Sequence, residues 1–151
     1  ILTEGLPKES FYIAPDEESI FFSSKETITA ASPAGLKRLI GIDDRQSNYR
    51  DRNFLYRHFL ETGLTQQITF GKQSASLNDI TMDSRYLLFS TSEEDLSERP
   101  FRKNSLYMLD LNTMALDTIW KDLTYTYSAQ FSPDGKQLLI HGDPKHLAVL
   151  V

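Results

Sequence analysis

The sequence contains no cysteine among its 151 residues. A disulfide framework, a thiol nucleophile and a cysteine zinc site are therefore excluded. The compartment stays open, because a secreted bacterial protein can also lack cysteine. An excess of positive charge is missing too. Sixteen Lys and Arg stand against twenty-one Asp and Glu, a net charge of −5. That balance argues against a strongly basic nucleic-acid footprint, and no nucleic-acid partner is expected. No apolar run approaches the roughly 20 residues of a membrane helix, so no membrane insertion is expected. No signal peptide is visible, and the chain opens on Ile1-Leu2-Thr3-Glu4-Gly5 without methionine, as a piece of a longer polypeptide would. A convincing long period of 3.6 residues is also lacking. What is there is the composition of a folded protein, 40% hydrophobic and 25% charged.

A repeat organises the chain. Ile13 to Ser23, Ile80 to Ser90 and Phe131 to His141 share one frame built around Asp16, Asp83 and Asp134. In each, an apolar residue stands three before the aspartate, and three apolar residues follow four to six after it. Asp suits a turn because its short carboxylate accepts backbone N–H groups, and Pro fixes φ just before it. Pro133-Asp134-Gly135 is the clearest copy. A turn cluster between two short apolar runs predicts a hairpin.

A second frame has the same offset. Asn53-Phe54-Leu55-Tyr56 aligns with Asn104-Ser105-Leu106-Tyr107, and Ile68 aligns with Ile119, each 51 residues later. Asp83 to Asp134 is also 51 residues, whereas Asp16 to Asp83 is 67. The first unit therefore carries an insertion, placed between Asp16 and Asn53.

Each unit reads as four strands in two hairpins. In the second unit the strands are predicted near 76–81, 85–91, 105–111 and 114–120, where Tyr, Phe, Ile, Leu and Thr dominate. Four strands in about 40–50 residues mark a β-propeller blade. The competing reading is an all-β sandwich with regular short strands, and the shared offset of two independent frames weighs against it. The predicted class is all-β, a β-propeller of four-stranded antiparallel blades present as a partial propeller over 1–151. Residues 1–5 would end a preceding blade. Residues 10–71 would form a blade with a long insertion near 24–52, residues 75–121 a second blade, and residues 125–151 the first half of another. Propellers close with about four to eight blades. A larger propeller, or other chains as in a homo-oligomer, is expected to cover the open edges.

The run Tyr127-Ser128-Ala129-Gln130-Phe131-Ser132-Pro133-Asp134-Gly135-Lys136-Gln137-Leu138-Leu139-Ile140 resembles the blade motif of a peptidase family. The family is the prolyl oligopeptidase/dipeptidyl peptidase IV-type serine peptidases, and the motif lies in their N-terminal propeller. Asn104 to Leu111 resembles the third strand of such a blade and Gln66-Gln67-Ile68-Thr69 its closing strand. The propeller of the Tol-Pal translocation system shares the motif. The resemblance to the peptidases implies a non-catalytic propeller segment of a periplasmic or secreted serine exopeptidase. It would gate and position a peptide substrate for an α/β-hydrolase domain of the same parent protein. The resemblance to the Tol propeller implies instead a protein-binding scaffold with no enzyme attached. No G-x-S-x-G nucleophile elbow occurs in the sequence, so no catalytic residue is assigned.

Candidate residues are few, and neither a cofactor-binding nor a metal-binding residue is assigned. Glu93-Glu94 invites comparison with the paired glutamates by which the dipeptidyl peptidases hold a substrate amino terminus. It lacks the flanking aromatic motif, and the reading here is a solvated acidic loop with Asp95. His58, His141 and His146 have no metal-site spacing. Ser132-Pro133-Asp134-Gly135 lacks the residue between Asp and Gly that a sialidase Asp-box needs, so Asp16, Asp83 and Asp134 read as turn residues. The insertion near 24–52 mixes Lys37, Arg38, Arg45, Arg50 and Arg52 with Asp43, Asp44 and Asp51, the pattern of a solvated loop or an interdomain contact. Arg50-Asp51-Arg52 reads first as plain surface, with a pocket lining or a contact to the hydrolase domain as the alternative. A second insertion, about 92–104, is charged and contains Pro100. Long loops on a rigid scaffold are where binding resides, which makes these two the regions of interest. Trp120, at the end of a closing strand, is assigned to packing between blades.

Overall fold

A computed structural model of the chain describes residues 10–27, 50–95, 97, 99, 101–124 and 128–142. Ten strands run in order: β1 Phe11–Ile13, β2 Ser19–Thr27, β3 Asp51–Phe59, β4 Thr65–Gln67, β5 Ser74–Ile80, β6 Tyr86–Glu94, β7 Arg102–Asp110, β8 Leu116–Leu123, β9 Ser128–Phe131 and β10 Leu138–His141. They form two four-stranded antiparallel meanders, β1-β2-β3-β4 and β5-β6-β7-β8, and a hairpin of β9 and β10. No α-helix occurs among the described residues. The chain is a partial β-propeller, with two four-stranded blades and a two-stranded hairpin among the described residues.

The turns show why the aspartates recur. Ala14, Thr81 and Ser132 each accept a backbone N–H three residues on, from Glu17, Ser84 and Gly135, at 2.8–2.9 Å. Asp16, Asp83 and Asp134 accept the N–H two residues on, at 3.0, 3.1 and 3.2 Å. Glu17, Ser84 and Gly135 all have positive φ, at 59°, 55° and 68°. Three stretches with little identity thus fold into one turn, because carboxylate and backbone bond the same way in each. Thr81 and Ser132 add a hydroxyl bond to the aspartate, which Ala14 cannot.

The apolar triplets after the first two turns lie in middle strands, β2 and β6, and are buried along their length, whereas in the third Leu139 is 60% exposed on β10. Leu87 and Phe89 pack with Phe21, Leu55, Ile68 and Ala75 in the layer between the first and second blades. Leu88 points the other way, to Leu106, Trp120 and Ala129 in the layer between the second blade and the β9–β10 hairpin. Side chains alternate faces along a strand, so a strand sandwiched between neighbours reads as a continuous apolar run. Phe89 stacks on Tyr107 with centroids 5.5 Å apart, and Phe22 stacks on Tyr56 at 5.4 Å. These are equivalent pairs in the two blades.

Polar bonds join the blades where the apolar layers end. The Asp16 N–H donates to Ser84 Oγ at 3.0 Å, and the Phe131 N–H donates to Asp79 Oδ2 at 2.7 Å. Asp79 follows an irregularity in the β5–β6 pairing between Leu77 and Asp79. Trp120 is 6% exposed in the second layer, as its packing assignment requires. It is interior to its strand rather than terminal, since β8 continues to Leu123.

Several sequence-based boundaries shift. β6 runs on to Glu94 and β7 begins at Arg102, so the second insertion shrinks to the residues between them. The register sets Glu94 opposite Arg102 and Glu93 opposite Lys103. The ladder runs on where apolar patterning gives no strand indication, with Glu93 bonded to Gln73 and Lys103 paired with Asp95. β2 likewise reaches Thr27 and β3 begins at Asp51, inside the expected insertion. The expected end of a preceding blade at residues 1–5, and Lys37, Arg38, Asp43, Asp44, Arg45, Pro100 and His146, lie outside the described residues.

Candidate functional site: a charged cleft between two blades

The ends of β2, β3, β6 and β7 meet the start of β5 at one end of the two blades. A cavity of about 350 Å3 opens there, lined by Asp51 and Arg52, by Lys72 and Ser74, and by Glu93, Glu94 and Arg102. Sequence reasoning placed Asp51-Arg52 and Glu93-Glu94 in separate loops. The fold brings them together on strand ends of adjacent blades. Glu93 and Glu94 are therefore not part of a free acidic loop. They close β6, and Glu93 accepts a hydrogen bond of 2.7 Å from Gln73 Nε2.

The chain between β4 and β5 shapes the cleft. β4 pairs with β3 only from Tyr56 to His58. Beyond it, Thr69 Oγ1 takes the Leu55 N–H at 2.9 Å and Ser74 Oγ takes the Asn53 N–H at 3.2 Å. Hydroxyls thus satisfy the donors that a longer fourth strand would have paired. Gly71, at φ 104°, turns the chain across to the next blade. Arg52 Nε then donates to the Lys72 carbonyl, fixing this crossover to β3.

Electrostatics hold part of the cleft in place. Asp51 accepts from the Thr27 hydroxyl at 2.8 Å and pairs with Lys25 Nζ at 3.3 Å. The Thr27 bond first, and then Lys25, keep its carboxyl below the usual carboxylate range. Beside the cleft, Asp95 is held down to about 2 by the Ser97 hydroxyl and N–H, and by Lys103 at 3.1 Å. The Tyr56 phenol is pushed up to about 12, by burial first and by its bond to Glu26 second.

The fold resembles that of TolB. The crystal structure of TolB from Acinetobacter baumannii superposes with a TM-score of 0.56 at 19% identity. The match covers 91% of this chain and 28% of TolB. The chain thus spans between a quarter and a third of TolB's length. At that identity the likeness to TolB establishes the propeller fold. No family model matches the sequence, and no curated protein matches it.

The other candidates stand apart from the cleft. His58 is 5% exposed within β3, its Nδ1 2.9 Å from Thr65 Oγ1. His141 ends β10, opposite Ser128. Asp16, Asp83 and Asp134 serve the turns at the other ends of the strands. No group of three metal-ligating side chains occurs among the described residues. The missed members of the site are Lys72 and Ser74, whereas Arg102 lies within the charged second insertion near 92–104. Nothing in the local sequence marks Lys72 and Ser74, because they reach the cleft only through the crossover.

Proposed function

We propose that this chain is part of a protein-binding propeller scaffold of Tol type, placed in the periplasm or secreted, with blade units at 10–71 and 75–121. The likeness to TolB over 91% of the chain carries this reading. The peptidase reading rested on a blade motif that several propeller types share, and the likeness to TolB favours the scaffold alternative. The cleft suits a polypeptide partner. It presents three carboxylates and three cations, with Lys72 on the crossover and the other five on strand ends, which favour steering and orientation of a charged surface.

The test is reversal of charge. Partners are recovered with the wild-type protein, and the affinity of each is measured again with Glu93→Lys/Glu94→Lys. A fall of about tenfold or more is expected where a partner sets cationic groups against Glu93 and Glu94, since like charges brought together cost several kcal/mol. Raised salt should weaken the wild-type complex, because exposed charges are screened. Unchanged affinity on charge reversal would overturn the reading, as would covalent labelling of the protein by a fluorophosphonate serine probe.

A further inference from the structure

The charged cleft continues into a second cavity. Lys72 and Glu93 line both. The second, about 660 Å3, lies along the outer seam of the two blades and is mostly apolar. Phe89 and Tyr107 line it, and Phe70, Met114 and Leu116 add side chains that are 71%, 45% and 54% exposed. Single exposed apolar residues are ordinary on a protein surface. Here three of them converge on one concavity with a few polar groups at one end, which is the form of a ligand groove.

The groove exists because the outer strand of the first blade is short. β4 has three residues, whereas β8, at the same place in the second blade, has eight. After β4 the chain buries Ile68, sends Phe70 outward and crosses to β5. The space that a full outer strand would fill is left as an extended trough.

Charge selects the occupant. Asp51 is engaged by Lys25 and Thr27, and Glu93 accepts from Gln73. Glu94 stands opposite Arg102 in the β6–β7 register. Lys72, at the junction of the two cavities, has no ion-pair partner among the described residues. We propose that the groove takes an extended segment of a partner polypeptide. Its apolar side chains lie against Phe70, Met114 and Leu116, and an adjoining acidic residue pairs with Lys72. This rests on the scaffold reading and names the chemistry of its partner.

Selection of random linear peptides displayed on phage tests it. The targets are the wild-type protein, Lys72→Glu and Phe70→Asp, all three melting alike. Wild type should enrich segments with apolar residues followed by Asp or Glu. Lys72→Glu should replace that acidic preference with a basic one, and Phe70→Asp should reduce enrichment about tenfold, the equivalent of 1.4 kcal/mol. Absence of enrichment, or the same peptides on all three targets, overturns the proposal. So does a wild-type dimer that Phe70→Asp converts to monomer by light scattering, since it assigns the groove to a second copy of the chain. If these selections fail while Glu93→Lys/Glu94→Lys still weakens partner binding, the groove is lost and the scaffold reading stands.

Discussion

Glu17, Ser84 and Gly135 occupy one left-handed turn position in three settings, so one conformation is filled by three residue types. A non-glycine residue there costs about 1–2 kcal/mol. Gly135→Ala should therefore lower stability by about 1 kcal/mol, read from the denaturant midpoint. A Cβ at Gly135 would stand 3.4 Å from Thr81 Cγ2, an ordinary contact, so the backbone sets the loss. Glu17→Gly should raise stability by up to about 1 kcal/mol through the same term. Tyr56 supplies a pH dependence. Its folded pKa is raised from 10.0 to about 12, so its stabilising effect is complete below pH 10 and disappears as pH rises through about 12. Melting temperatures should fall over that window in the wild type and fall less in Tyr56→Phe; parallel curves would refute the assignment. The turn aspartates were legible in the sequence because spacing alone identifies them. The bond from the Asp16 N–H to Ser84 Oγ was not legible, because it spans 68 residues and two blades.

Strands follow the same division at the element scale. β6 was readable from Leu87-Leu88-Phe89, whose burial on both faces produces an unbroken apolar run. Its extension to Glu94 was not readable, because its last residues, Glu93 and Glu94 in register with Lys103 and Arg102, are charged and carry no apolar pattern. Leu88 is fully buried between the second blade and the β9–β10 hairpin. Leu88→Ala should cost about 2–5 kcal/mol by transfer and cavity terms. Leu139 is 60% exposed in β10, and Leu139→Ala should stay within about 0.5 kcal/mol. Chemical denaturation of both variants checks the pair, and equal losses would contradict the two-layer packing.

Across the whole molecule, the repeat of 51 residues carried the architecture, and the site was only half visible. Asp51, Arg52, Glu93 and Glu94 each stood out as charged positions within an expected insertion. Their convergence depends on how one blade stacks on the next, and that stacking is set by apolar contacts such as Phe21 and Leu55 against Leu87 and Phe89. Lys72 joins them only because a three-residue β4 releases the chain early. A sequence frame that aligns blades cannot register what lies between them. The central claim, that this propeller binds polypeptide at its charged cleft, is tested most directly by photocrosslinking in cells. A photoreactive amino acid replaces Glu94 in the cleft or, as a control, Asp117, exposed on β8. Crosslinks to a polypeptide from position 94 and none from position 117 are expected. No adduct from position 94, or equal adducts from both, would contradict the claim.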